Sequence, residues 1–167
     1  MNSNKYLPPL ICGFGAAALI TVPGIKNIGF CLIVPLASFF SLYLFQKVTK
    51  FYTKITPGFA IKFGVLTGIF SAIFATFIDV IITYITRTND FIQTLPQSEA
   101  MLKSWHLGPM IAQTLVYFQQ ISNQITTTGF SALYTFAMFF SNSLIYAIFG
   151  LLGGLLGMTL INKKYHR

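Results

Sequence analysis

Charged side chains are scarce in this chain, and acids are the scarcest of all. Only 8% of the 167 residues are charged, and the acids are Asp79, Asp90 and Glu99. Soluble domains usually carry about 25% charged residues, which keep their surfaces hydrated. Hydrophobic residues make up 54% of the chain, with 18 phenylalanines. This composition excludes an ordinary soluble domain and predicts an integral membrane protein.

Cysteine and histidine are also rare, with two of each. Cys12 and Cys31 lie in apolar stretches and form no CxxC motif. In a helical hairpin turning near Pro23 they would be offset by about 10 Å, too far for a disulfide. His106 has no carboxylate cluster near it in sequence. GxSxG, HExxH and Walker motifs are missing too, so we expect no enzyme, no catalytic residue, no metal and no cofactor.

The formal net charge of +8 raises the question of nucleic-acid binding. The basic residues, however, lie in short runs between apolar stretches and at the chain end, with no recognition motif. That distribution is typical of loops beside an anionic membrane leaflet. We therefore expect the lipid bilayer as a partner and no nucleic acid.

Four apolar stretches predict an all-α membrane protein with four transmembrane helices in a single domain. They cover about residues 7–22, 28–45, 59–85 and 130–161. The first is short, because about 20 residues are needed to cross the hydrocarbon core. A three-span arrangement, with this first stretch lying in the interface, is the alternative.

The polar segment 86–129 separates the third and fourth stretches and is long for a simple loop. Its apolar residues recur near helical spacing from Met110 to Ile125, and Gly108-Pro109 is a typical helix start. We predict an extra amphipathic helix over about 109–125. It carries no Lys or Arg, which favours packing on protein over binding to anionic lipid.

Lysine and arginine positions predict the orientation. With four spans and the N-terminus inside, eight of the 11 basic residues lie on the cytoplasmic side. The remaining three, Lys26, Arg87 and Lys103, lie outside. Because cytoplasmic loops are enriched in Lys and Arg, we expect a cell-membrane protein with both termini cytoplasmic and segment 86–129 outside.

Small residues predict where the helices pack. In the third stretch they recur every four positions: Ala60, Gly64, Gly68, Ala72 and Thr76. The fourth stretch has two overlapping GxxxG motifs: Gly150, Gly153, Gly154 and Gly157. Such ridges let helix backbones approach closely. We expect the two faces to pack inside one bundle; the alternative is that one of them drives homo-oligomerisation.

Asp79 is the one acid within an apolar stretch, and an ionisable group in a membrane helix suggests ion or proton handling. Its place near the predicted outer end also allows structural roles. It could meet water, pair with Arg87 or accept a hydrogen bond from Thr83. Asn142, in the fourth stretch, is expected to bond across helices, and Trp105 to mark the interface.

The order of these features resembles a bacterial family of small four-helix membrane proteins that is catalogued as a domain of unknown function. The matching pieces are LPPLICGFGAAALITVPG with FCLIVPLASFFSLYLFQK, ITPGFAIKFGVLTGIFSAIF, the Gln-rich 110–125 segment and GLLGGLLGMTLINKK. The resemblance implies a multi-pass helical fold and carries over no catalytic or binding residues.

Two hypotheses about function are therefore favoured. A membrane enzyme ranks third, because the sequence contains no catalytic motif. The first is a structural or accessory subunit of a membrane complex, with a membrane-protein partner. The second is a transporter or channel subunit that works as a homo-oligomer, with Asp79 handling a cation or proton.

Overall fold

A computed structural model describes residues 5–22, 24–50, 53–104 and 109–163, and within these ranges it contains helices and no strand. The helices are α1 (Leu7–Ile20), α2 (Lys26–Thr49), α3 (Pro57–Thr86), α4 (Asp90–Ser104), α5 (Pro109–Thr128) and α6 (Ala132–Lys163). The prediction of an all-helical chain is confirmed.

Several residues used in the sequence interpretation lie outside the described residues. They are Pro23, Trp105, His106 and Gly108, together with Lys164 and Arg167 among the basic residues at the chain end. The predicted hairpin turn at Pro23 and the interface role of Trp105 therefore stay predictions.

Three of the described helices are long and apolar enough to cross a membrane. The qualifying segments are Gly29–Thr49, Pro57–Thr86 and Ala132–Lys163. Helix α1 has 14 residues, which makes it about 21 Å long against about 30 Å of hydrocarbon. Four predicted spans thus correspond to three helices of membrane-crossing length and one shorter apolar helix.

The described residues group into two compact units. The first comprises Met1–Ile78 with Phe139–Arg167, and the second comprises Asp79–Met138. In the first unit α1 and α2 pack together as a helical hairpin. One core cluster there is built mainly from small side chains: Ala16, Ala17, Ile20, Val34, Ala37, Ala72, Ala75 and Tyr146. Because these side chains are short, the helix backbones lie close together.

A second cluster of the first unit is aromatic. The rings of Phe45, Phe59 and Phe63 have centroids 4.3–4.9 Å apart. Leu42 and Ile161 are buried beside them. This cluster joins the C-terminal part of α2, the start of α3 and the end of α6.

Large apolar side chains cover the outside of the first unit. Leu32, Phe77 and Phe140 are 63%, 63% and 69% exposed, respectively. Small residues in the first cluster and large apolar residues on the surface are the reverse of a soluble core, and this arrangement is suited to helices in hydrocarbon.

The second unit holds two helices where the sequence predicted one. Helix α5 contains the predicted amphipathic segment and buries Ile111, Ile121 and Ile125. Helix α4, which was not predicted, packs against it. The Phe91 ring of α4 meets the Phe118 ring of α5 edge-on, with centroids 5.4 Å apart.

Candidate functional site

Helices α3 and α6 touch backbone to backbone at their glycines. A Cβ built on Gly64 would lie 2.9 Å from the carbonyl carbon of Gly150, and one on Gly68 would lie 2.6 Å from that of Tyr146. Real Cβ contacts are essentially never shorter than 3.0 Å. These two positions therefore accept glycine alone unless the helices move apart.

The contacts continue along α3 in regular steps. Ala60 meets Gly154, Gly64 meets Gly150 and Gly68 meets Tyr146, so each advance of four residues on α3 is a retreat of four on α6. Ala72 is completely buried in the small-residue core. At the next level Asn142 Nδ2 donates a hydrogen bond of 3.2 Å to Thr76 Oγ1. Antiparallel helices with matched small residues produce this register.

The other two glycines of α6 contact a different helix. A Cβ on Gly153 would lie 2.7 Å from the carbonyl carbon of Pro35, and one on Gly157 would lie 3.1 Å from the Cα of Phe39. Pro35 and Phe39 belong to α2. The overlapping GxxxG motifs thus hold α6 against two neighbours, whereas the sequence interpretation treated them as one face.

Helix α3 is also packed against α1 and α2. A Cβ on Gly13 of α1 would lie 2.7 Å from the Cβ of Phe70 and 3.1 Å from the backbone nitrogen of Ser71. From α2, the Ser38 hydroxyl donates to the Gly64 carbonyl at 3.5 Å. Gly13 was missed as a packing residue, although its place within an apolar helix was the available signal.

Asn162 ties the end of α6 to the segment before α3. The Ile55 N–H donates to Asn162 Oδ1 at 2.9 Å, and Asn162 Nδ2 donates to the Ile55 carbonyl at 2.9 Å. Ile55 is buried, and the Asn162 side chain therefore satisfies both of its backbone hydrogen-bonding groups. The sequence signal was an amide beside the terminal lysines, and it was not recognised.

Asp79 belongs to the second unit, whereas the glycine contacts belong to the first. It is half-buried on α3 and takes part in an interaction within the chain. Arg87, one of its suggested partners, donates from its guanidinium to the Thr127 carbonyl and lies 5.9 Å from the centroid of the Tyr84 ring. Thr83, the other suggested partner, is buried.

The polar side of α5 forms an open depression in the second unit. It has a volume of about 490 Å³ and is lined by Val116, Gln119, Gln120, Asn123, Gln124 and Thr127. Its polar side chains are uncharged and combine donors with acceptors. The neighbouring Tyr117 is 58% exposed. Such a surface can form many hydrogen bonds without attracting either sign of charge.

Comparisons with protein-family models, with curated proteins and with solved structures find no match for this chain. Within the described ranges, no group of three or more His, Cys, Asp or Glu side chains could hold a metal ion. Cys12 and Cys31 are both free thiols. The function must therefore be inferred from the packing and the surfaces of the chain.

Proposed function

We propose that the chain is a multi-pass cell-membrane protein that serves as a structural or accessory subunit of a membrane complex. Helices α1, α2, α3 and α6 would be embedded in the bilayer. Three of them have the length and hydropathy of spans. The small-residue cluster and the large apolar exterior of the first unit support the same location.

Burial supports the insertion of α1 beside the longer helices, rather than in the interface. Ala16, Ala17 and Ile20 of α1 share a buried cluster with Ala72 of α3 and Tyr146 of α6. Its packing against α2 places the start of α1 on the same side as the end of α2. With the lysine distribution, this supports cytoplasmic termini and an outer 86–129 segment. The resemblance to the bacterial four-helix family forms part of the same proposal.

The backbone contact between α3 and α6 is the observation that carries the proposed role. A conduit through the first unit needs space between its helices, but at Gly64 and Gly150 there is no room even for a methyl group. The glycine faces of α3 and α6 are already occupied by contacts between helices of the same chain. A solid bundle of this kind suits a structural part better than a pathway, and a partner would have to bind elsewhere.

The polar depression on α5 is the surface that we assign to a protein partner. Its amide side chains offer hydrogen bonds, and the exposed Tyr117 is of a residue type enriched at protein interfaces. Helix α5 carries no Lys or Arg, so attraction to anionic lipid is weak there.

Site-specific photo-crosslinking in native membranes tests this assignment. A photo-reactive residue at Gln120 should yield one discrete adduct in an amount comparable with the protein itself. The matched control is the same residue at Phe136, which is 74% exposed but apolar. Equal adducts from both positions, or none from Gln120, would contradict a partner on α5.

The second candidate function is a transporter or channel subunit with Asp79 as the ion-handling group. The observation in its favour is a half-buried acid on a helix long enough to cross a membrane. Flux of protons and monovalent cations into proteoliposomes would decide between the two. An accessory subunit gives no flux. A homo-oligomeric channel gives flux that is lost in Asp79→Asn and retained in Asp90→Asn.

A further inference from the structure

An apolar groove runs between α1 and α2 in the first unit. Its volume is about 340 Å³, and its walls include Cys12, Gly15 and Leu19 of α1 and Ile33, Leu36 and Phe40 of α2. This volume falls in the range of about 300–1,000 Å³ that is usual for small-molecule sites. The groove is therefore large enough to hold part of a small molecule.

The floor and the rim of the groove differ in side-chain size. The buried side chains of Ala16 and Ala37 form the floor. Gly15 is exposed beside them, and a Cβ built on it would meet nothing within 4 Å. Leu19, Leu36 and Phe40 stand at the rim and are each about half exposed. Because every lining side chain is apolar, the matching occupant is a hydrocarbon chain.

Both walls of the groove lead to a lysine at the same end. On α2, Lys47 follows Phe40 by seven residues, which is two helical turns and about 10 Å on the same face. Its Nζ lies 5.1 Å from the centroid of the ring of Tyr43, which is one helical turn nearer the groove in the sequence. On the other wall, Lys5 lies two residues before the start of α1 and seven residues before Cys12. Because Cys12 and Phe40 line the same end of the groove, both lysines lie at that end of the hairpin, and both are exposed.

The opposite end of the groove is less basic. The lysine there, Lys26, is half-buried and already takes part in an interaction within the chain. Charge therefore distinguishes the two ends: two exposed ammonium groups at one and a partly covered one at the other.

We propose that this groove binds one acyl chain of an anionic phospholipid, whose phosphate is held by Lys5 and Lys47. The proposal rests on the membrane location proposed above. It goes beyond that location, because it distinguishes one lipid from the surrounding bilayer. The lysines would select a negatively charged headgroup, and the groove would hold the lipid in one orientation along α1 and α2.

Tryptophan quenching by brominated lipids provides the test, in the full-length chain with Trp105→Phe as background. The reporter in the groove is Phe40→Trp, with Leu36→Trp as a second reporter if the first fails to fold. The reference is Phe77→Trp on α3, where the native side chain is 63% exposed. Each protein is placed in phosphatidylcholine vesicles that contain the same fraction of either chain-brominated phosphatidylglycerol or chain-brominated phosphatidylcholine.

The groove reporter should be quenched more by phosphatidylglycerol, while the reference responds equally to both lipids. Each lysine should contribute about fivefold to that preference. Replacing both, in Lys5→Gln with Lys47→Gln, should reduce it to the reference value, whereas Lys26→Gln should not. Gly15→Leu should abolish the preference by filling the groove, since nothing obstructs a side chain there.

Equal quenching of the groove reporter by the two lipids overturns the proposed site while leaving the membrane location intact. A preference that survives the double lysine substitution also overturns it. Quenching of neither reporter by either lipid would refute the membrane location itself, so the two proposals fail in different ways.

Discussion

Replacing Gly64 by alanine isolates the backbone contact between α3 and α6. The added methyl group would lie 2.9 Å from the Gly150 carbonyl carbon and 3.1 Å from the Leu151 Cα. These atoms belong to a helix backbone and cannot rotate away. The helices must separate by about 0.5–1 Å to restore ordinary carbon contacts, which lie at about 3.5–4.0 Å.

The size of the effect follows from two opposing terms. Overpacking of this kind costs about 1–3 kcal/mol. Alanine also gains about 0.5–1 kcal/mol over glycine as a helix former. The second term is removed by comparing Gly64→Ala with the same change at Gly15 in the middle of α1, where a Cβ meets nothing within 4 Å. The difference between the two variants should be about 2 kcal/mol, or about 4–8 °C in melting temperature.

Thermal unfolding in mild detergent, followed by fluorescence-detected size exclusion, measures this difference. Gly64→Ala should melt below the parent protein, and Gly15→Ala should melt at or slightly above it. Gly58→Ala, in the first turn of α3, is a second open position and should melt close to the parent protein. Identical melting of Gly64→Ala and Gly15→Ala would show that α3 and α6 are not in backbone contact, and the packing argument would fail.

Two further predictions concern polar contacts. Asn162→Leu removes both hydrogen bonds to the backbone of Ile55. The variant should lose about 1–3 kcal/mol of stability, and protease should cleave the segment before α3 more readily. The nearby control Thr159→Ala should show neither effect. Asn89→Ala removes the side-chain bond to the Ile92 N–H that begins α4. This variant should lose about 1 kcal/mol of stability and exchange its amide hydrogens faster in the first turn of α4. Asn89→Asp is the control, because aspartate can still cap the helix. Unchanged exchange in Asn89→Ala would contradict the capping role.

The long apolar helices could be predicted from the sequence because proline, glycine or charged residues lie at the ends of each apolar stretch. The predicted 59–85 stretch became α3, Pro57–Thr86. The predicted 28–45 stretch continued further, to Thr49. Lys47 did not end the helix, because a long amphipathic side chain can stay on a helix while its ammonium group reaches water, here beside the Tyr43 ring.

Helix α4 could not be predicted from hydropathy because it is a polar helix with Pro96 inside it. Its local signals were the Asn89 cap and the Glu99–Lys103 pair, whose atoms lie 3.9 Å apart. Such signals contribute only a few tenths of a kcal/mol to about 1 kcal/mol each. The contact of Phe91 with Phe118 adds tertiary packing that no local pattern reveals.

The small-residue spacing indicated where a close approach was possible, but it did not identify the neighbour. Gly150 and Gly153 are three residues apart and look equivalent in the sequence, yet one faces α3 and the other faces α2. A spacing of three or four residues defines a face of one helix. Which helix lies against that face depends on the whole bundle, so the partner of each glycine had to come from the structure.

The double use of α6 bears on whether the chain assembles with itself. A homodimer through Gly150 and Gly154 would have to displace α3, and one through Gly153 and Gly157 would have to displace α2. Either exchange gives up backbone contacts of the same kind that it gains, so it offers no net packing advantage. Self-association, if it is measured, should therefore survive Gly15→Leu and Gly58→Leu, which leave the bundle interior untouched. It should use the large exposed side chains, so that Phe140→Ala weakens it. Gly64→Ala should lower the melting temperature and leave self-association of the folded chain unchanged.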